Sequence, residues 1–270
     1  MDRKDVLASR IENGIGTIVL GSAERIHFDP EMADCLFDTL KTWSNDDAVR
    51  VIVVTGGAPG YFLRHYSVPA IISLGEALQR SGAIVPDDAP ANFSALDHAM
   101  MLCETMGKPV IAAISGTCMG GAFELALCCD IRIAEDGPHQ IGLPEANIGI
   151  LPGAGGTQRL PRVVGPSAAL MHILLGEPLS PREAERRGFV HETVGGKALT
   201  RAHEIAAKLV QLDPEALSRI KRLVRGALSM PLAEGLSLER NLFVQLAMSE
   251  RALERMRAYE AGNISFLASD

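Results

Sequence analysis

The 270-residue chain predicts an α/β protein that ends in an all-helical tail. Three observations carry this reading. Val110 to Ile114 is a short apolar run, followed by glycines, a helical pattern and then a second strand-like run from Ile131 to Ala134. Ile15 to Leu20, Asp29 to Leu40 and Ala48 to Thr55 repeat the order strand, helix, strand. From Lys197 onward the period changes to 3.6 and no strand pattern returns, which divides the chain into a core at 1–196 and a helical region at 197–270.

Taken in order, Ile15 to Leu20 follows Glu12-Asn13-Gly14 and reads as a strand after a hairpin turn. Asp29-Pro30 is a helix start, with Asp29 as N-cap and Pro30 at the first helical position. Met32, Leu36, Phe37 and Leu40 form the inward face of that helix. Ala48 to Thr55 is a buried strand that ends at Gly56-Gly57. Ile71 to Leu78 favours a helix, and Ser81 to Asn92, with its prolines and aspartates, reads as a mobile loop. Phe93 to Met106 is helical, with Leu96, Met100 and Cys103 inward. Ser167 to Leu175 is a helix, Ser180-Pro181-Arg182-Glu183 has the form of a capping box, and Phe189 to Val194 is a short strand. In the tail, Ala198, Ala202, Ile205, Ala206 and Leu209 form one stripe, and Leu217, Ile220, Leu223 and Val224 another. Leu238, Leu242 and Leu246 continue the pattern beyond Pro231.

Composition narrows the function classes. Hydrophobic residues at 47% and charged ones at 22% suffice for a large buried core. A net charge of -7 argues against generic binding to nucleic acid or an anionic membrane. Five cysteines, an odd number without metal-ligand spacing, read as reduced core residues of a cytoplasmic protein with no metal site. Neither the start, MDRKDVLASRIENG, nor the end at Leu267 to Asp270 reads as a targeting segment, and no run is long enough to span a bilayer.

Chemistry concentrates between Lys108 and Pro161. A helix start exposes unpaired N–H groups and a partial positive charge, and glycine lets an acceptor approach them. Gly120-Gly121 occupy such a start, so an anionic oxygen fits at Gly121. Glu124 lies one turn further, among Ala, Phe, Leu and Cys. A dipole-complementing glutamate is ordinarily exposed; a carboxylate in this apolar company is expected to hold its proton more tightly. Glu145 follows Pro144 in a glycine-rich, sparsely charged segment, which suggests backbone packed closely against something.

These pieces, KPVIAAISG, MGGAFELALCCD, GLPE and IGILPGAGGTQRLPRVVG, together with LLGEPLSPREAERRGFVHETV, resemble the enoyl-CoA hydratase/isomerase (crotonase) superfamily. The resemblance implies a spiral of ββα units and a C-terminal helical region that builds trimers, often paired as hexamers. It implies an acyl thioester of coenzyme A as substrate and no separate cofactor. It assigns Glu124 and Glu145 as the two hydratase acids, and the N–H groups of Tyr66 and Gly121 as the oxyanion hole, with Gly120 beside them. The Gly56 to Val68 segment departs from the family pattern, since His65, Tyr66 and Ser67 stand where members have glycine, a variable residue and aspartate. Arg25 and Arg64 are candidate phosphate contacts, His65 a candidate substrate contact, and His27 reads as structural. Two glutamates favour reversible hydration of a 2-enoyl thioester; a crotonase-type hydrolase, a double-bond isomerase and a non-catalytic binding protein are the alternatives.

Overall fold

The computed structural model describes residues 6–263 and Ser265. Of the two segments read above for targeting, Met1 to Asp5 of the first and all of the second, Leu267 to Asp270, lie outside the described residues. The chain divides into two compact units, Met1–Leu212 and Asp213–Asp270. The sequence boundary at 196/197 marks where strands stop. The first unit runs further because helix α8, Ala198–Val210, lies on its sheet through Ala198, Ala202 and Ala206.

The first unit is a spiral of strand pairs and helices. Strands β1 (Leu7–Glu12) and β2 (Ile15–Leu20) form an antiparallel hairpin, and helix α1 (Pro30–Ser44) follows. Its turn holds Asn13 at φ 52 and Gly14 at φ 80, the left-handed pair that a two-residue hairpin demands. Three strand pairs come next: β3 (Val51–Gly56) with β4 (Gly60–Leu63), β5 (Val110–Ile114) with β6 (Gly116–Met119), and β7 (Ile131–Glu135) with β8 (Ile141–Gly142). The first strand of each pair joins a six-stranded sheet in the order β1-β2-β3-β5-β7-β9, where β9 is Glu192–Val194. The second joins a three-stranded sheet, β4-β6-β8. All neighbours beyond the first hairpin are parallel.

The central strands of the large sheet are buried on both faces, which is why they read as continuous apolar runs. Val51, Val53, Ile111, Ala113 and Ile133 meet α8 on one face. Ile52, Val54, Ala112 and Ile114 enter the main core on the other, with α1 residues Met32, Leu36 and Leu40. Between the strand pairs lie α2 (Val68–Ser81), α3 (Ala95–Thr105) and α4 (Gly121–Cys128). Helix α3 begins at a complete Ser94–Asp97 capping box. After β8 come α5 (Gly156–Val164), α6 (Pro166–Leu175) and α7 (Pro181–Arg186). At α7 only half of the expected capping box forms: Ser180 accepts from the Glu183 amide, while the Glu183 carboxylate pairs with Arg186 and Arg187. The ionised arginines outcompete a neutral backbone amide for that carboxylate.

The spiral is tight at the β4–β6 crossing. A Cβ on Gly116, at φ 150, would lie 2.1 Å from the backbone of Gly60. Only glycine lets these two turns approach so closely. Four cysteines, Cys103, Cys118, Cys128 and Cys129, are buried and Cys35 is half-buried. No helix among the described residues is long and apolar enough to cross a membrane.

The second unit contains α9 (Pro214–Gly226), α10 (Leu232–Ala247) and α11 (Glu250–Glu260). Asp213 and Ser249 cap the first and third of these helices. Ile220, Val224, Leu232, Leu236 and Phe243 are exposed along α9 and α10.

Candidate functional site

The site is built around the first turn of α4. Gly120 precedes the helix at φ 55 and ψ -134, and Gly121 is its first residue. The Gly120 amide is consumed by the Gly142 carbonyl at 2.9 Å, which ties the turn to β8. The Gly121 amide is a first-turn donor with no intrahelical acceptor, and it donates to no other described residue.

A second open amide lies beside it. Phe28 and Tyr66 form a parallel bridge in which the Phe28 N–H donates to the His65 carbonyl at 2.9 Å and the Ser67 N–H donates to the Phe28 carbonyl at 2.6 Å. A parallel bridge of this kind uses the residues on either side of Tyr66 and leaves the Tyr66 N–H unused. Among the described residues that N–H also has no acceptor. The two donors are neighbours, since a Cβ on Gly121 would lie 3.1 Å from the Tyr66 Cβ.

Glu124 is one helical turn on from Gly121 and is 2% exposed. Its Oε1 accepts two amides from the glycine-rich loop, Ala154 N–H at 2.9 Å and Gly156 N–H at 2.7 Å. Burial raises its pKa above the ordinary carboxylate value, against the pull of the two amides and of Arg159. Arg159 in turn fixes the loop. Its guanidinium is bidentate to Glu104, at 2.9 and 2.8 Å, and donates to the Ala154 carbonyl at 2.7 Å. The Arg159–Glu104 pair thus orients the peptide groups that orient Glu124.

Glu145 opens a short 3-10 turn, Glu145–Ile148, directly after Pro144. Its Oε2 is buried and has no hydrogen-bond partner among the described residues. Burial pushes its pKa up to about 7, and the Glu124 charge adds to the rise. The Glu124 charge thus acts on Glu145 although 20 residues separate them in sequence (positions 125–144). A Cβ on Gly120 would lie 2.8 Å from Glu145 Oε1, and one on Gly156 would lie 3.0 Å from Glu124 Oε1. Each glycine makes room for one carboxylate.

The remaining predicted residues divide. His65 is at the site: its Nδ1 lies 2.7 Å from the Tyr66 carbonyl, and its ring is 4.6 Å from that of His27. His27 titrates below the ordinary histidine value because of burial, then the His65 and Arg64 charges. Arg64 is exposed, while its amide donates to the Ile26 carbonyl at 2.7 Å. Arg25 is drawn elsewhere. It donates to both oxygens of Asp29, at 2.9 and 2.8 Å, and to Glu31 at 2.8 Å. Since Asp29 caps α1, Arg25 braces the helix start, while its Nη1 is buried with no hydrogen-bond partner among the described residues.

Sequence reasoning missed the supports. His172, 5% exposed, accepts the Leu143 N–H on Nε2 at 3.1 Å and so holds the backbone just ahead of Glu145. A Cβ on Gly142 would lie 2.6 Å from that same nitrogen, which accounts for the glycine in GLPE. Asn147 donates to the Gly176 carbonyl at 2.8 Å and anchors the far side of the 3-10 turn. No periodicity marks these contacts; a lone titratable residue in an apolar helix, as His172 is in α6, was the available signal.

The enoyl-CoA hydratase/isomerase family matches residues 10–266 of the chain. The chain is 34% identical over 226 residues to a 2,3-dehydroadipyl-CoA hydratase of Escherichia coli (strain K12), covering 83% of each protein. Among solved structures, an enoyl-CoA hydratase from Bacillus anthracis superposes with a TM-score of 0.84 at 26% identity, covering 98% of this chain and 99% of that one. An enoyl-CoA hydratase from Thermoplasma volcanium GSS1 gives a TM-score of 0.83 at 28% identity, covering 95% and 98%.

Proposed function

Because the chain belongs to the enoyl-CoA hydratase/isomerase family, we propose that it adds water reversibly across the 2,3 double bond of an acyl thioester of coenzyme A. The observation that carries this reading is the asymmetry of the two acids beside two open amides. Glu124 is held by backbone donors that favour its carboxylate, whereas Glu145 presents a buried, unpartnered oxygen with a pKa near neutrality. One is suited to take a proton and the other to give one.

In this scheme the thioester oxygen accepts from the Tyr66 and Gly121 N–H groups. Negative charge grows on that oxygen as water adds, so fixed donors stabilise the transition state more than the substrate. Glu124 removes a proton from water as its oxygen bonds to the β-carbon. Glu145 delivers its proton to the α-carbon, and the enolate collapses back to the thioester. Water has been added, and exchange of one proton between the two acids resets the site. The chemistry needs no cofactor beyond the coenzyme A carried by the substrate. Exposed apolar side chains on α9 and α10 support assembly into trimers or hexamers, where a partner copy covers them.

The test is incubation with trans-2-butenoyl-CoA in oxygen-labelled water. Hydration gives a product heavier by one water and carrying the label. An unlabelled product with a shifted double bond identifies an isomerase, and free coenzyme A a hydrolase.

The pH dependence follows from Glu145. Hydration starts from its protonated form, so kcat/KM for hydration should fall as pH rises through about 7, while dehydration should rise over the same interval. The stability linkage has the same origin. The folded pKa lies above the ordinary 4.5, so the fold binds this proton more tightly than the unfolded chain does. The penalty for ionising Glu145 sets in above about 4.5 and is complete above about 7. Glu145→Gln should therefore raise Tm relative to wild type at pH 8 and leave it unchanged at pH 4. Equal Tm differences at both pH values would show that Glu145 ionises normally.

A further inference from the structure

The scheme above leaves His65 and His27 unused, yet His65 makes a side-chain bond to the carbonyl of the very residue that supplies one open amide. We propose that His65 is a positioning residue: its imidazole holds the Tyr66 peptide group so that the Tyr66 N–H stays aimed at the thioester oxygen. This rests on the reading of Tyr66 as an oxygen donor and names what keeps that donor in place.

The partner decides the tautomer. The Tyr66 carbonyl can only accept, so Nδ1 of His65 carries the proton and donates, at 2.7 Å. The ring closed by this bond runs from the imidazole through the His65 main chain, the Tyr66 nitrogen and the Tyr66 carbonyl. It encloses the peptide whose N–H is the proposed donor and restrains the torsions on either side of it. The other restraints are backbone bonds: Phe28 N–H to the His65 carbonyl of this peptide, and Ser67 N–H, from the following peptide, to the Phe28 carbonyl. His65 is therefore the side-chain element of the clamp, and a substitution can remove it without touching the bridge.

Two further contacts make the arrangement stiff. The His27 ring lies 4.6 Å from that of His65, tilted by 51°, and limits the rotamers open to it. A Cβ on Gly120 would lie 3.4 Å from the His65 Cβ, so His65 packs against the turn that presents the second donor. Rotation at His65 thus alters the angle between the two donors and not merely the position of one. Donors act on a developing oxyanion only when held about 2.7–3.1 Å from it, so a small rotation has a large kinetic effect.

The test compares His65→Ala, His65→Phe and His65→Asn. Phe keeps a ring against His27 but has no N–H. Asn places an amide N–H the same number of bonds from Cα as Nδ1. Ala and Phe should each lower kcat about 10- to 100-fold with KM changed less than about threefold, and Asn should return kcat to within about fivefold of wild type. Should Ala fail to fold, the Phe and Asn pair carries the comparison. A second readout is the infrared carbonyl stretch of bound butanoyl-CoA, a thioester with no double bond to hydrate. It should shift to lower frequency in wild type and Asn, and less in Ala and Phe. An unshifted stretch in wild type overturns the donor reading of Tyr66 and this proposal with it. A full shift and full kcat in the Phe variant overturn the role of His65 alone, and so does an Asn variant as impaired as Phe.

Discussion

Glu124→Gln and Glu145→Gln are each expected to lower kcat for hydration by about 10²–10⁴, with little change in KM. The reason lies in what glutamine preserves. At position 124 the amide oxygen still accepts the Ala154 and Gly156 N–H groups, so the glycine loop keeps its shape and Tm should not fall. What disappears is the capacity to take a proton from water. At position 145 glutamine resembles the protonated acid in shape and charge but has no proton acidic enough to give. Because both acids act in one addition, the double variant should be hardly slower than the slower single one. Steady-state kinetics with trans-2-butenoyl-CoA, alongside thermal unfolding, provides the measurement. Turnover within about threefold of wild type in either single variant contradicts the assignment.

Gly120→Ala is the second large effect. Gly120 holds φ at 55 with an extended ψ, a conformation that costs other residues about 1–3 kcal/mol. Strain is the lesser part. The new Cβ would sit 2.8 Å from Glu145 Oε1, so the carboxyl must move away from the α4 turn or the turn must shift. Either movement separates the acid from the amides. The variant should lose about 10²-fold or more in kcat, since misplacement of about 1 Å costs that much. It should fold with a lowered Tm. Kinetics and circular dichroism check both statements; an alanine variant of normal kcat would mean that Glu145 has room to spare and that the close fit is irrelevant to turnover.

Much of the fold is written locally. Asp29-Pro30 starts α1, as the cap and the preset proline torsion require. Val110 to Ile114 and Ile131 to Ala134 are strands because their apolar runs are buried on both faces. The stripe at Ala198, Ala202 and Ala206 is the side of α8 that meets the sheet. By contrast β4, β6 and β8 have four, four and two residues and glycines at their ends. Strands this short show no alternation and exist only because each pairs with the previous turn of the spiral. Helix α5 was equally hidden. Gly156 at its start, Gly153 and Gly155 just before it and an internal Pro161 speak against a helix, and the tertiary contacts of Arg159 and Leu160 override them.

For the site, the sequence alone marked Glu124 as a carboxylate in apolar company, the Gly120-Gly121 turn as a helix start open to an acceptor, and Glu145 as a residue in closely packed backbone. Composition, period and turn chemistry suffice for such statements because each depends on neighbours a few positions away. The tertiary structure decided the rest: that the Glu124 charge is felt at Glu145, that the Tyr66 amide is left open by its bridge to Phe28, that Arg25 turns to Asp29, and that the His65 ring meets the Tyr66 carbonyl. These depend on which turn of the spiral lies against which. That is set by parallel pairing between strands far apart in the chain, a relation no local pattern records.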